Sequence, residues 1–279
     1  MNILLRKSSL PIVAAVVALA ALFSFGSAES TPTATAATNA DAKVSVAHFA
    51  PFAADVDSTA VTVRVDGVDA LPNFKYGQIQ NDVMLTAGDH QVQIVAGGSV
   101  AISETITVEA DKEYTLAAIG GANSNDLMLM PFVKDTTAPA GDNGKLFVGH
   151  LAPFSDNLDA TKVDICTDAG TPVTGLTGVP YKGFTDPYLT LPAGDYDLMI
   201  TVAGSNCGTV ALDLPAIRLG AGEIVDVFAI GLLNEAFPLS VASTTGFTAV
   251  TKVSVAHFAP FAADVDSTAV TVRVDGVDA

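Results

Sequence analysis

From Lys43 onward, apolar residues recur at alternate positions in short runs broken by turn residues. Val44, Val46 and His48 share one face of the first run, and Val61, Val63 and Val65 share one face of the second. A period of two is that of a half-buried β-strand. Further runs at 83–86, 90–96, 101–108, 114–119 and 127–133 predict strands, separated by Ala-Gly-Asp, Gly-Gly and Asn-Ser-Asn-Asp turns. Asp66-Gly67 is a hairpin signal. Helical periodicity is absent after the N-terminal apolar run. Seven or eight short strands in about 90 residues predict an all-β fold, an immunoglobulin-like antiparallel β-sandwich.

The pattern then repeats. Residues 43–70 recur letter for letter at 252–279, and a diverged version, KLFVGHLAPFSDNLDATKVDICTDAG, begins at Lys145. Starts at 43, 145 and 252 are steps of 102 and 107 residues, one small domain each. In the second repeat, strands are predicted at 145–151, 162–167, 188–191, 196–202, 209–219, 224–230 and 237–241. The predicted organisation is domain one at 43–135, a linker at 136–144, domain two at 145–242, a linker at 243–251 and an incomplete third repeat at 252–279. The linkers are short, and the domains are expected to be semi-independent beads. The 28 residues of the third copy are too few to close a core.

Residues 1–28 have the layout of a secretory signal: Arg6 and Lys7, then an apolar stretch from Leu10 to Phe25, then Gly26-Ser27-Ala28. Residues 29–42, ESTPTATAATNADA, are rich in Thr, Ala and Pro and predict a flexible stalk. No later apolar run is long enough to span a bilayer, so the expected location is secreted or cell-surface. Losing Arg6 and Lys7 with the leader leaves 11 basic against 30 acidic residues, a net charge of −19. Nucleic acid and anionic lipid need a basic patch and are excluded as partners. Export also makes a disulfide the default for the two cysteines, Cys166 and Cys207.

Several motifs carry over between repeats. An H-x-A-P-F run is made by His48, Ala50, Pro51 and Phe52, and again by His150, Ala152, Pro153 and Phe154. An L-x-A-G-D-[HY] turn is made by Leu85, Ala87, Gly88, Asp89 and His90, and by Leu191, Ala193, Gly194, Asp195 and Tyr196. With the Asp-containing loop between them, these motifs resemble the family called domain of unknown function 4397. The resemblance covers most of 43–135 and 145–242. It implies exported β-sandwich modules, frequently in tandem, without an assigned activity. This chain departs from the family's usual start by placing Phe52 and Phe154 where an Asp follows the proline, so a role for that Asp does not transfer.

His48, His150 and His257 are each followed nine residues later by Asp57, Asp159 and Asp266. Such a spacing suits either an acid–base or metal-binding couple, or a core histidine hydrogen-bonded to the loop. The structural role is expected for His48, His150, Asp57 and Asp159, because no second His or nucleophile accompanies them. Asp55 and Asp57, with Asp156 and Asp159 in the second repeat, are the candidate calcium ligands, although the loops lack the Gly and terminal Glu of an EF-hand. Tyr76 and Tyr181 are expected to pack rather than stack on sugars. No nucleophile elbow, zinc motif, C-x-x-C or phosphate loop occurs, and neither catalytic residues nor cofactors are expected. The expectation is a non-enzymatic structural or adhesive module acting on cell-surface or matrix components or on copies of itself. The alternative is a glycan- or cation-binding module using the Asp-rich loops.

Overall fold

A computed structural model describes residues 40–123 and 126–246, together with the backbone of 248–250, 273–274 and 277–278. The expected leader, nearly all of the stalk and most of the third repeat lie outside the described residues. Domain one holds β1 (Asp41–His48), β2 (Val61–Val65), β3 (Val68–Phe74), β4 (Ile79–Thr86), β5 (Gly88–Ala96), β6 (Ser99–Val108), β7 (Glu113–Ile119) and β8 (Met128–Val133). They form two four-stranded sheets, ordered β4-β1-β7-β8 and β3-β2-β5-β6. Val44, Val46, Leu116 and Leu129 of the first sheet pack on Val61, Val63, Val92, Ile94 and Ile106 of the second, as the alternation requires.

The β2–β3 turn places Asp66 and Gly67 at φ 50° and 80°, the paired left-handed residues of a tight hairpin. Strand β3 escapes the sequence pattern because it is an edge strand containing Pro72, a position where a missing N–H is tolerated. The expected antiparallel arrangement needs one correction: β1 runs antiparallel to β4 but parallel to β7. Parallel neighbours need a long crossover. The second sheet, traversed between β1 and β7, supplies it.

Domain two repeats this plan with β9 (Asn143–His150), β10 (Val163–Thr167), β11 (Leu189–Pro192), β12 (Gly194–Tyr196), β13 (Leu198–Val202), β14 (Val210–Asp213), β15 (Ala216–Leu219), β16 (Ile224–Ile230) and β17 (Ser240–Ala242). One sheet is β11-β9-β16-β17, again with β9 parallel to β16. The opposing layer is divided into β10-β13-β14 and β12-β15-β18, where β18 is Thr248–Val250. The single strand expected over 209–219 breaks at Leu214-Pro215, since Pro215 cannot donate to a ladder. In the third repeat, β19 (Arg273–Val274) pairs antiparallel with β20 (Val277–Asp278).

The two sandwiches do not behave as separate beads. Strand β7 is buried at every position from Tyr114 to Ile119, and β16 from Val225 to Ile230. A strand buried on both faces needs a second layer outside its own sandwich. Here each repeat supplies that layer for the other. Ala47, Phe49, Ala117, Ile119 and Phe132 form one apolar cluster with Phe147, Leu151, Tyr181, Phe228 and Ile230. Ring pairs cross the junction at 5.4–5.7 Å: Phe49 with Phe228, and Phe132 with both Phe147 and Phe228. The result is four stacked layers with three apolar interiors.

Candidate functional site

The H-x-A-P-F motif builds a fastener at the end of the first strand of each repeat. His48 terminates β1 on its core face and is 1% exposed. Its Nδ1 accepts the Ala50 N–H at 3.3 Å, so its Nε2 carries the proton and donates to the Thr59 carbonyl at 3.0 Å. Thr59 closes a single 3-10 turn, Asp57–Thr59, by donating its hydroxyl to the Val56 carbonyl at 2.6 Å and accepting the Tyr76 N–H at 2.9 Å. Phe52 stacks on the imidazole at 5.7 Å. Repeat two keeps the fastening bond, with His150 Nε2 donating to the Thr161 carbonyl at 2.7 Å and Phe154 beside the ring at 5.8 Å, but its buried Nδ1 has no hydrogen-bond partner among the described residues. Burial lowers His48 to about 4 and lowers His150 as well, against partial support from the carbonyl bonds. Each ring is held neutral as a donor, which suits fastening a loop and not proton shuttling near neutrality.

The aspartates nine residues downstream do not join the histidines. Asp57 Oδ1 meets Lys75 Nζ at 2.7 Å and Asp159 Oδ1 meets Lys162 Nζ at 2.7 Å, all at the surface. Asp55 accepts the Ser58 N–H at 2.8 Å, which holds its carboxyl below the usual range. Asn157, not Asp156, caps the second turn by accepting the Asp159 N–H at 3.0 Å. Among the described residues, no three His, Cys, Asp or Glu side chains converge as a metal site would require. Tyr76 meets Phe237 edge-on at 4.9 Å, and burial pushes the hydroxyl of Tyr181 up to about 12. Both rings belong to the interior.

Cys166 in β10 and Cys207 in the loop after β13 form a disulfide across a separation of 41 residues, packed against Met199. Closing such a loop stabilises the fold by roughly 3–4 kcal/mol in the chain-entropy description.

The densest polar chemistry sits at the junction between repeats. Asp226 of β16 is buried and receives Lys134 Nζ at 3.3 Å, the Tyr188 hydroxyl at 2.9 Å and the Thr244 hydroxyl at 3.0 Å. Thr115 of β7 in turn donates to Thr244 at 3.3 Å. Desolvation, then the Asp226 charge, pushes the Tyr188 hydroxyl upward. Lys145 binds Asp135 and Thr137, so the linker is tied to the first strand of domain two. A groove of about 440 Å³ lies beside this network, walled by Phe132, Phe147, Phe184 and Tyr188. Among its polar groups, Lys134, Asp135, Thr185 and Tyr188 are bonded within the protein, and Asp186 also lines it.

Sequence reasoning missed these junction residues. The available signal was the loss of alternation in YTLAAI (114–119) and VDVFAI (225–230), with a lone Asp226 in the latter. A charge inside a strand that is otherwise apolar on both faces demands a buried partner.

Duplicated all-β sandwiches with matching loop fasteners define the class. The family model described as Domain of unknown function (DUF4397) matches residues 42–161 and 158–268, and the chain belongs to that family. Both matches end on the same position of the following repeat, Thr161 and Thr268. No curated protein matches. Among solved structures, the chain is similar to the Bacillus anthracis TIE protein at 15% identity, over 69% of this chain and 34% of that one, with a TM-score of 0.21. The chain therefore spans about a third of that structure's length. Among the described residues, no helix is long and apolar enough to cross a membrane.

Proposed function

We propose that the protein is an exported, non-enzymatic structural or adhesive module of the cell surface or extracellular matrix. The observation that carries this reading is the shared apolar interior of consecutive repeats, which makes a stiff block of two sandwiches whose outward features are sheet edges and loops. The disulfide favours an oxidising compartment. The histidines and the junction carboxylate spend their hydrogen bonds on holding the fold together. The acidic surface keeps such a block dispersed and steers it away from polyanions.

The test is location together with binding. An epitope-tagged full chain should appear in the medium or be removed from intact cells by external protease. Its immobilised form should retain matrix or surface components, or copies of itself. Retention in the cytoplasm would refute the reading. A rise in melting temperature with calcium over chelator, or with a sugar, would replace it by ligand recognition through the Asp-rich loops.

A further inference from the structure

The faces that meet between the sandwiches are the same face of two diverged repeats. Parallel register sets Ser45, Ala47 and His48 of β1 beside Thr115, Ala117 and Ala118 of β7, and Phe147, Gly149 and His150 of β9 beside Asp226, Phe228 and Ala229 of β16. Superposing the repeats on their histidines makes Thr115 equivalent to Asp226, and Ala117 to Phe228. The neighbouring strands follow suit: Ala117 pairs with Met130 on β8, whereas Phe228 pairs with Ala242 on β17. Where one repeat is small, the other is large. The charges are divided in the same way. Repeat one supplies Lys134 and repeat two supplies Asp226, with side chains 9% and 2% exposed and 3.3 Å apart.

We infer that this junction is a selective recognition surface on which a repeat of the first type accepts a repeat of the second type and neither type accepts its own kind. Two second-type faces would bring two Asp226 carboxylates together without a lysine, which buried like charges do not tolerate. Two first-type faces would leave Lys134 without its carboxylate and Phe228's space unfilled. Exclusion of the wrong partner by stranded charge is an efficient route to specificity. The partner that fits repeat one is thus a second-type repeat, and the unit of the array is an unlike pair. The sequence restarting at Lys252 is of the first type, with Ala256 and Phe258 matching Ala47 and Phe49. Alternation of types is what unlike pairing requires.

The experiment uses the full chain with a specific protease site placed within 138–141. After cleavage, native mass spectrometry and light scattering should find both halves in one particle, and dilution followed by reconcentration should regenerate that unlike pair without dimers of either half alone. Lys134→Met should weaken association of the cleaved halves by roughly a hundredfold or more, because it strands Asp226. Lys134→Met combined with Asp226→Leu should recover much of that loss and allow dimers of the second half. Uncleaved variants report folding through their circular dichroism and melting cooperativity. The chain carrying the protease site and no other change suffices to refute the inference: halves that part on cleavage, or dimers of like halves, would overturn it. Association unchanged by Lys134→Met would also do so.

Discussion

Acidification should loosen this protein well before its carboxylates titrate. An unfolded histidine takes up a proton near pH 6.5, whereas buried His48 resists until about 4. Between those values the unfolded state binds more protons, so stability falls as pH falls. At about 1.4 kcal/mol per pH unit, the separation amounts to about 3 kcal/mol for His48. His150 acts in the same direction. His90 opposes them. Its Nε2 faces the Thr86 carbonyl and its Nδ1 faces Asp66, each at 2.7 Å, and the carbonyl bond first, then Asp66, raises its pKa. That contribution is full below pH 6.5 and is lost as pH rises through the raised value; His90 is buried and only Asp66 is half exposed, so the pair offsets part of the effect of the two fasteners. Asp135, lowered to about 2 by bonds from Lys145 and Thr137, and Asp159, also lowered, lose stability below about 3.8, outside this window.

Urea midpoints at a series of pH values from about 7 to about 4.5 measure the effect, with His48→Gln/His150→Gln as the comparison, since a neutral donor keeps the carbonyl bond without titrating. The parent should lose several kcal/mol over this range and the double variant should show a much shallower slope. Equal slopes would refute the assignment of acid lability to the two fasteners.

His48→Ala or His150→Ala should lower stability at neutral pH by about 1–3 kcal/mol, read from the same midpoints, by leaving the Thr59 or Thr161 carbonyl unsatisfied in the interior. Cys166→Ser/Cys207→Ser should cost roughly 3–4 kcal/mol, and non-reducing peptide mapping of the parent should recover the bridged pair. Phe228→Ala should cost about 3–5 kcal/mol, and calorimetry should show both repeats affected, since its ring touches Phe49 and Phe132 of the other repeat. Gly231→Ala should destabilise domain two, because a Cβ at φ 102° would run into the Pro238 carbonyl, and its melt checks this.

How legible these features were depended on whether their cause was local. Alternation revealed β2 and β5, whose outer face meets water, and the histidine repeat located both fasteners before any contact was known. Strand β3 was hidden by Pro72 and by the mixed polarity of an edge. A spacing of nine residues left open whether the histidines bond a loop carbonyl or the aspartate carboxylate, because the two lie two residues apart: the structure has the carbonyls of Thr59 and Thr161. The junction was hardest to read. Its two central strands, β7 and β16, lie more than a hundred positions apart, and burial by a second domain leaves no period of its own, merely the absence of one.

Parallel pairing of the first strand with the seventh also fixes where the chain enters and leaves. Lys43 N–H bonds the Lys112 carbonyl as the chain enters domain one, and Lys134 N–H bonds the neighbouring Glu113 carbonyl as it leaves. Entry and exit therefore share one end of the sandwich, and the strands' own length adds nothing to the reach of the array. Because the two sandwiches meet by the same face, that contact closes on a pair, whose four layers span about 30 Å along the sheet normal at about 10 Å per layer spacing. A surface array of such pairs would gain or lose repeats two at a time, since removing one member alone uncovers the apolar face of the other.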